Sequence, residues 1–446
     1  MPAISDALLV RALEAAERGD PTTAHCSYPP FAAWGRAGAA FATGSWRAAL
    51  SAGEPFGIYV HFPYCQALCP FCRAIPKFRH RPGDTEAFLA GLERECRLWA
   101  PVFRGRRPVS LFLGGGTPNL LKPLELGRMM RTLREVFRPA PGAQIVAEAL
   151  PEYLDAPRIG ALIEGGVTGL SIGLQSLDPM MKVWAGRRVT AAAAAAALRR
   201  CGKEGVRHIL VDLLAGLPGQ SEKSFLSDVR TAAGWRPDEI VLGNFSAVNS
   251  GFSGLSAGAA RALRGGSERM TRAGAELLGR LGYRAIGNDP VFSLDPGSPD
   301  SKYRYRFYAG LSMLGLGPGA LSYAKGRAWH ANSADPARWS KLLSGGVLPV
   351  ERGCRAGRRR EMISALVSLA DSGYIPDAGF RKLAGTVPSA AFGGKLRCLE
   401  KRGVLLRRPR GWEVADQERS PYEIAREFFE PAVLASLLGD IPGRPL

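Results

Sequence analysis

Short apolar runs alternate along the chain with longer segments whose apolar residues recur at helical spacing. The apolar runs, from position 57 onward, are GIYVHF, VSLFLGGG, QIVAEAL, GLSIGLQS, HILVDLLAG and EIVLGNFSAV. The helical segments that follow them in turn are TEAFLAGLERECRLWA, LELGRMMRTLREVF, APRIGALIEGG, TAAAAAAALRR, EKSFLSDVRTAAGW and SERMTRAGAELLGRLG. Apolar runs bounded by turn residues predict strands buried on both faces of a parallel sheet. With right-handed crossovers, six such units predict an open or closed α/β barrel.

Polar residues or glycines close five of these strands. In strand order they are His61, Gly114–Gly116 with Thr117, Glu148, Gln175 and Asp212. The carboxyl ends of parallel strands meet at one rim, where such barrels keep their active sites. One buried polar residue could be satisfied by a hydrogen bond in the core, but the repeated placement indicates a binding site. The glycines permit close approach of a ligand, although GGGTPN matches neither a P-loop nor a dinucleotide fingerprint.

Three of the eight cysteines lie close together in YVHFPYCQALCPFC, at 59–72. They could be small core residues, but Pro63 and Pro70 break the segment and predict a loop with little core around it. Structural zinc usually takes four Cys or His ligands, and His61 is too close to Cys65 for the usual paired spacing. Three thiolates on a four-iron cluster would leave one iron open to a substrate or cofactor.

The length and composition bound the organisation of the protein. The chain has 446 residues, 46% of them hydrophobic, which predicts one large domain with appendages or two to three domains. No apolar run approaches about 18 residues, so no membrane span is predicted. The N-terminal segment MPAISDALLVRALEAAERGD has the pattern of an amphipathic helix and not of a signal peptide. The other cysteines are scattered without a disulfide framework, which favours a cytoplasmic location.

A net charge of +19 requires nucleic acid to be considered as a partner. The basic residues are mostly arginines spread along the chain, with small clusters at Arg104–Arg107 and Arg355–Arg360. An acidic small-molecule substrate fits the charge equally well, and a general compositional bias can produce it too. Nucleic-acid binding is therefore not favoured.

Five stretches together resemble a known family. They are YVHFPYCQALCPFC, LFLGGGTPNLL, LSIGLQSLDPMM, VDLLAGLPGQSEKSF and LGLGPGALSY, in the family's order. The C-x3-C-x2-C loop and the Gly-rich segment resemble the radical S-adenosylmethionine (SAM) superfamily, and the whole set resembles the oxygen-independent coproporphyrinogen III oxidase family. The resemblance implies a partial (β/α)6 TIM-like barrel at 53–345. An N-terminal helical extension at 1–52 would precede it, and a C-terminal helical, winged-helix-like domain at 346–446 would follow.

The resemblance also implies which residues hold the cofactors. Three thiolates would bind a [4Fe-4S] cluster, those of Cys65, Cys69 and Cys72. The open iron would bind the amino and carboxylate groups of SAM. The other matched SAM contacts are Phe71 near the adenine, Gly115, Gly116 and Thr117 at the methionine amino end, and the polar residues Glu148, Gln175, Arg187 and Asp212. Tyr59 and His61, beside the cluster, are the candidate catalytic residues.

The chemistry implied by the resemblance is reductive. An external donor of the flavodoxin or ferredoxin type would reduce the cluster, which would cleave a C–S bond of SAM and leave methionine and a 5′-deoxyadenosyl radical. That radical would take a hydrogen atom from a small-molecule substrate held in the barrel. Members of the family bind a second SAM, and the positions that match parts of that site are Phe245, Ser246 and the 317–322 segment with Leu321.

Two departures from the oxidase pattern leave the substrate open. Ala74 stands where those enzymes carry a fourth cysteine, and KYRYRFYAGLSMLG at 302–315 lacks their Gln-Gly-Tyr-Thr-Thr segment. The first interpretation is oxidative decarboxylation of a tetrapyrrole propionate, as in a coproporphyrinogen. The alternatives are C-methylation or cyclopropanation with the second SAM, and haem breakdown or trafficking.

After about Gly345 the pattern changes to helices and a small β wing. The segments that predict it are RREMISALVSLADSGYI and SAAFGGKLRCLEKRGVLLRRPRGWEVAD. They resemble the family's C-terminal helical domain, for which a lid over the active site is the favoured role. Taken alone, they would indicate a protein of a different class, a winged-helix nucleic-acid binder with a structural metal. His330 is predicted to be a packed or surface histidine.

Overall fold

Six parallel strands, each followed by a helix, form the centre of the fold. The computed structural model describes residues 28–72, 76–184, 186–245, 257–286, 290–298, 300, 310–371, 373–416 and 424–434. In chain order the units are β1 (Phe56–Phe62) and α1 (Asp84–Trp99), β2 (Ser110–Gly115) and α2 (Pro123–Phe137), β3 (Gln144–Ala149) and α3 (Ala156–Glu164), β4 (Gly169–Gln175) and α4 (Ala191–Glu204), β5 (His208–Ala215) and α5 (Glu222–Gly234), and β6 (Glu239–Asn244) and α6 (Ala257–Arg280). The predicted order of strands and helices is confirmed.

Smaller elements flank these units. A helix at Ala39–Ser51 precedes β1, a short helix at Pro179–Trp184 follows β4, and two short strands at Tyr64–Cys65 and Phe78–Arg79 lie in the cysteine loop region. After α6 come β7 (Arg284–Ala285), β8 (Val291–Ser293), β9 (Ser312–Leu316), β10 (Leu321–Ala324), β11 (Ala328–Asn332), α7 (Pro336–Ser344) and β12 (Val350–Arg355). In the part of the chain that the structure describes, no helix is long and apolar enough to cross a bilayer.

The sheet has the order expected of a partial (β/α)6 barrel. Reading across it, the strands are β12-β11-β10-β9-β1-β2-β3-β4-β5-β6-β8-β7, and the two-residue strand Gly35–Arg36 lies beyond β12. Neighbours from β1 to β6 are parallel, and so are β9 and β1, whereas β8 pairs antiparallel with β6. Because the barrel strands follow one another in chain order with a helix after each, the predicted α/β barrel is confirmed. The amphipathic helix predicted for the first 20 residues lies outside the described residues.

Side-chain alternation along the parallel strands builds the barrel interior in layers. A buried apolar cluster contains Val146, Leu210 and Val241 from β3, β5 and β6, and Phe112 of β2 packs against it. Two residues further along a strand the side chain returns to the same face. On β3 the residue two positions after Val146 is Glu148, and on β5 the residue two positions after Leu210 is Asp212. The polar rim therefore stands directly above an apolar layer.

Local sequence explains where several helices begin. The hydroxyl of Thr190 accepts a hydrogen bond from Ala193 N at 3.2 Å and caps the alanine-rich helix α4. The hydroxyl of Ser221 accepts one from Ser224 N at 3.1 Å at the start of α5. Such side-chain oxygens satisfy backbone N–H groups that have no partner within the helix. The helix predicted for TAAAAAAALRR is confirmed.

The described residues fall into two compact units. One contains the barrel and is formed by residues 36–245 and 266–353; the other takes the described parts of 1–35, 246–265 and 354–446. This grouping differs from the predicted domain boundaries after residues 52 and 345, because residues 36–52 fall in the unit of the barrel. The assignment of three domains at 1–52, 53–345 and 346–446 stays a prediction.

The C-terminal part of the second unit has the element order of a winged helix. Its elements are α8 (Arg358–Asp371), β13 (Tyr374–Pro376), α9 (Asp377–Ala384), α10 (Pro388–Lys401), β14 (Leu405–Arg408) and β15 (Gly411–Val414). The three strands form an antiparallel sheet in the order β13-β15-β14. Ile363, Ile375, Phe380, Leu396 and Trp412 are buried in a core of their own. The predicted helices with a small β wing are confirmed.

Candidate active site

Tyr59 and His61 lie at alternate positions of β1, opposite the end of β2. In the parallel register Tyr59 faces Phe112 and His61 faces Gly114. The Tyr59 ring stacks on Phe112 with centroids 6.0 Å apart. The Tyr59 hydroxyl lies 2.9 Å from His61 Nδ1, and His61 Nε2 lies 2.8 Å from Pro76 O. A carbonyl can only accept, so Nε2 carries the proton and Nδ1 accepts from Tyr59.

Burial keeps His61 neutral. The side chain is 3% exposed, and burial lowers its pKa to about 4, against the opposing effect of the hydrogen bond to Pro76. Near neutral pH the imidazole therefore orients the Tyr59 hydroxyl without carrying a charge.

The Gly-rich segment after β2 lies directly against this histidine. Gly115 has a φ of 102°, and a Cβ there would lie 2.7 Å from His61 Nδ1. A Cβ at Gly116 would lie 2.4 Å from Tyr64 O, and Gly116 N donates to Phe62 O at 2.6 Å. Both positions require glycine because no side chain fits between the two segments. The structure thus brings the predicted glycines against the start of the cysteine loop.

The three predicted cluster cysteines lie near one another. The Thr117 hydroxyl lies 3.5 Å from Cys65 Sγ and donates to it, and Cys72 N donates to Cys69 O at 3.2 Å. Burial raises the pKa of Cys65, and the nearby Cys72 and Cys69 thiols raise it further, whereas the Thr117 hydrogen bond lowers it. Burial also raises the pKa of Cys69, against the positive charge of Arg187.

Three cysteine thiols in one loop are donors of the type that an iron–sulfur cluster requires. Within the described residues, no three His, Cys, Asp or Glu side chains converge on one metal position. Thiolates that each bind a different iron need not converge in that way. Metal ligation requires the deprotonated form of cysteine. Bound iron would therefore offset the free-energy cost of burying the charge of these thiolates. The donor set therefore fits a [4Fe-4S] cluster with one iron left open.

Lys77 holds the cysteine loop, and its role is not predicted by the sequence. Its ammonium donates to Cys69 O at 3.1 Å and to Cys72 O at 2.8 Å. No local pattern marks this lysine, because its partners are backbone carbonyls that any residue could supply.

Two carboxylates and a serine line three adjacent strands. Glu148 Oε2 accepts a hydrogen bond from Gly115 N at 3.0 Å. Ser171 is the register partner of Glu148, and its hydroxyl donates to Asp212 Oδ2 at 2.7 Å. The predicted residues Glu148 and Asp212 are thus brought to one wall, on either side of β4. Ser171 was missed, although its place in the alternation of GLSIGLQ marks it as inward-facing.

Arg187, Gln175 and Phe71 meet at the end of β4. Gln175 has a φ of 66° beside a β-bulge. A Cβ on Gly173 would lie 3.0 Å from Gln175 Nε2 and 3.7 Å from Arg187 Nη2. The Arg187 guanidinium carbon lies 5.7 Å from the centre of the Phe71 ring. Arg187 Nε is buried without a hydrogen-bond partner among the described residues, an arrangement that a ligand carboxylate would satisfy.

Of the positions matched to a second SAM, the 317–322 segment lies against β1, because a Cβ on Gly317 would lie 2.4 Å from His61 O. Ser246 lies outside the described residues, as do Ala74 and most of the 302–315 segment. Leu321 begins β10 opposite Ala331, and β9 lies between β10 and β1. Phe245 is buried and its N–H donates to Ala215 O at 2.8 Å, beyond the end of β5. A second SAM site therefore stays a prediction.

A buried glutamate, also not predicted as a site residue, supports the segment after β9. Glu95 is fully buried and its carboxylate accepts from Gly317 N at 2.8 Å, Asn332 Nδ2 at 2.6 Å and Trp339 Nε1 at 3.1 Å. Burial raises its pKa to about 8, although these three hydrogen bonds lower it. A Cβ at Gly317 would lie 2.4 Å from His61 O. The sequence feature that could have identified Glu95 is its place at an apolar position of the helical pattern of α1.

His330 is confirmed as a packed histidine. Its side chain is fully buried, and its Nε2 accepts a hydrogen bond from Trp46 Nε1 at 3.0 Å. Its ring stacks on Trp99 with centroids 5.9 Å apart. Burial lowers its pKa to about 3, so it remains a neutral core group.

Known proteins of the radical SAM superfamily are similar to this chain. Residues 59–232 match the model of the radical SAM superfamily. The oxygen-independent coproporphyrinogen III oxidase of Escherichia coli (strain K12) is 30% identical over 193 residues, which are 43% of this chain and 42% of the oxidase. The heme chaperone HemW of Mycobacterium tuberculosis is 27% identical over 316 residues, covering 67% of this chain and 77% of that protein.

The fold is also that of a solved structure. The coproporphyrinogen III oxidase HemN from Escherichia coli, described as a radical SAM enzyme, superposes with a TM-score of 0.73 and 22% identity over 91% of this chain and 96% of the other. Residues 59–232 match a radical SAM domain, a family that implies a [4Fe-4S] cluster and SAM as cofactors. Residues 59–232 are thus similar in sequence to the radical SAM superfamily, and the chain has the fold of the coproporphyrinogen III oxidase HemN.

Proposed function

We propose that Cys65, Cys69 and Cys72 hold the cluster and that SAM binds between this loop and the polar rim. The observation that carries the proposal is the buried Nε of Arg187, which has no hydrogen-bond partner among the described residues although it lies beside Phe71 in the cysteine loop. A carboxylate placed against a guanidinium makes a strong charge-assisted hydrogen bond. The methionine carboxylate of SAM has the charge for this position.

The other rim residues suit the remaining parts of SAM. The Phe71 ring offers a flat face for the adenine, and the Glu148 and Asp212 carboxylates can accept hydrogen bonds from ribose hydroxyls. Gln175 presents an amide, and the backbone at Gly115, Gly116 and Thr117 can approach the methionine amino end closely. Once bound, the two cofactors supply a reductive C–S cleavage that starts hydrogen abstraction from the substrate.

Tyr59 and His61 are proposed to line the reaction chamber. The neutral imidazole accepts from the Tyr59 hydroxyl and so fixes the orientation of the phenol. The apolar layer of Val146, Leu210 and Val241 beneath the rim keeps water away from the chamber floor. Excluding water protects a reactive species from side reactions.

We propose oxidative decarboxylation of a propionate on a coproporphyrinogen-type tetrapyrrole as the reaction. The names of the oxidase relatives and the +19 charge, which suits a carboxylate-rich substrate, support it. The test is an anaerobic incubation of reconstituted protein with dithionite, SAM and coproporphyrinogen III, followed by mass spectrometry. Loss of carbon dioxide with formation of methionine and 5′-deoxyadenosine, and without S-adenosylhomocysteine, is the expected result.

Other products would identify the alternative reactions. S-adenosylhomocysteine formed together with 5′-deoxyadenosine would overturn decarboxylation in favour of C-methylation or cyclopropanation. Haem handling is the second candidate, because the match to the heme chaperone HemW covers more of this chain than the match to the oxidase. Stoichiometric haem binding by absorbance titration, with no product from coproporphyrinogen III, would favour it.

The cluster proposal has its own test. Anaerobically reconstituted protein should hold about four irons and four sulfides per chain. Replacing Cys65, Cys69 and Cys72 by alanine should abolish both, whereas the control Cys398→Ala, at an exposed cysteine, should retain them. Bound zinc without inorganic sulfide would contradict the proposal.

A further inference from the structure

Lys77 connects two of the proposed cluster ligands through their backbone. Its Nζ lies 3.1 Å from Cys69 O and 2.8 Å from Cys72 O, and Cys72 N also donates to Cys69 O. One ammonium therefore fixes the relative position of both carbonyls. Because each thiol is attached to the residue whose carbonyl is held, the spacing of the Cys69 and Cys72 thiols depends on this contact.

The backbone on both sides of Lys77 is anchored. Pro76 O accepts from His61 Nε2, and a Cβ on Gly319 would lie 2.1 Å from Pro76 Cδ, so Pro76 is enclosed. Phe78 N donates to Pro63 O at 2.7 Å, and the Phe78 ring packs against the main core. With its neighbours held, the Lys77 backbone cannot shift without disturbing the core, which keeps the side chain within reach of the two carbonyls.

The same segment ties the third ligand to this anchor. The strand Phe78–Arg79 pairs in parallel with Tyr64–Cys65, so Arg79 is the register partner of Cys65, and His80 N donates to Cys65 O at 2.8 Å. Side chains alternate along an extended strand, so Lys77 and Arg79 lie on the face opposite Phe78. Lys77 is half-buried against the carbonyls, whereas Arg79 is exposed.

We propose that Lys77 is a positioning residue for the cluster loop and that its fixed positive charge raises the reduction potential of the cluster. The inference rests on the proposed function of the cysteines. Reduction adds one electron, taken from the external donor, and so one negative charge to the cluster. A fixed cation nearby stabilises the more negative state, and it does so more strongly where water is partly excluded.

The test compares three variants of the full chain after anaerobic reconstitution. Lys77→Met keeps the length of the stem and removes the charge and its donors, Lys77→Arg keeps the charge, and Arg79→Met removes an exposed cation from the same segment. The readouts are the ratio of reduced to oxidised cluster in a redox titration followed by electron paramagnetic resonance, and the rate of iron loss to a chelator.

Lys77→Met should lower the reduced-to-oxidised ratio at a fixed potential by about tenfold, which is about 59 mV for one electron. It should also lose iron faster than the wild type. Lys77→Arg and Arg79→Met should stay near the wild-type ratio. A purely structural role would change iron retention without moving the potential.

A wild-type potential in Lys77→Met would overturn the inference while leaving the proposed function intact. Lys77→Met could fail to assemble a cluster although its apo form unfolds at the wild-type temperature. In that case, cluster assembly in Lys77→Arg would support the role of the charge. Failure of both variants would overturn it. A wild-type chain that assembles no cluster would instead overturn the proposed function, and this inference with it.

Discussion

Ser171 on β4 donates a hydrogen bond of 2.7 Å to the carboxylate of Asp212 on the neighbouring strand β5. The bond joins residues 41 positions apart in the chain. The bond orients the Asp212 carboxylate at the rim. Glu148 lies at the same rim, since it is the register partner of Ser171 on β3, the strand on the other side of β4. The serine therefore lies on the strand between the two acidic residues proposed to contact SAM and holds one of them.

Removing that hydroxyl should weaken SAM binding without removing the cluster. Loss of a hydrogen bond to a charged group costs about 1.5–3 kcal/mol, so Ser171→Ala should raise the Kd for SAM by about tenfold, and Asp212→Ala by more. Equilibrium dialysis on the reconstituted protein measures this. Ser227→Ala, at an exposed position of α5, is the control, and an unchanged Kd in Ser171→Ala would show that the hydroxyl does not orient a SAM contact.

Arg187→Met should produce a comparable loss of SAM affinity. The substitution removes the guanidinium whose buried Nε is proposed to meet the methionine carboxylate, and a lost charge-assisted bond costs about 1.5–3 kcal/mol, or roughly tenfold to a hundredfold in Kd. Arg188→Met, which changes the exposed neighbouring residue, should bind SAM as the wild type does. Equal affinities for the two variants would contradict the proposed role of Arg187.

Gly115→Ala should destabilise the protein at the centre of the site. The new Cβ would meet the His61 ring at 2.7 Å, and the backbone has a φ of 102° that alanine rarely adopts. Such backbone strain costs about 1–3 kcal/mol before the steric clash is added. Gly127→Ala is the matched control, because this glycine lies in α2 with open space around it. The control should gain about 0.4–1 kcal/mol in the free energy of unfolding.

Thermal or urea unfolding of the two variants decides this prediction. If Gly115→Ala unfolds at the wild-type midpoint and keeps its iron and sulfide content, then the segment has room for a side chain and the close approach to His61 is not required.

Glu95 should make stability decline as the pH rises. Burial raises its pKa in the folded protein to about 8, compared with about 4.3 in an unfolded chain. Between those values the folded state keeps a proton that the unfolded state has lost. The free energy of unfolding therefore falls as the pH rises from about 4.3 through about 8. Glu95→Gln has no such proton and should remove this part of the decline.

The measurement is the free energy of unfolding in urea at several pH values for Glu95→Gln, the wild type and the control Glu135→Gln. Glu135 is exposed on α2, so its variant should follow the wild-type pH dependence. Parallel curves for Glu95→Gln and the wild type would refute the contribution of Glu95.

Much of the fold follows from local pattern. The six apolar runs became β1 to β6, since a strand buried on both faces needs apolar side chains in both directions. The polar strand ends came together at one rim, because parallel strands end on the same side. The cysteine loop was recognisable because Cys65, Cys69 and Cys72 are close in the chain. In the same way, the caps of α4 and α5 are properties of a few adjacent residues.

The contacts that join distant segments were decided only by the tertiary structure. Glu95 and Gly317 are 222 positions apart, and no periodicity in either segment specifies the other. Lys77 bonds to backbone carbonyls, which carry no sequence signal, and Ser171 acquires its role from the register of two strands. Sequence alone therefore determined which elements form and which chemical groups reach the rim. Packing and strand register decided which groups support them, because those partners are chosen by proximity in space and not along the chain.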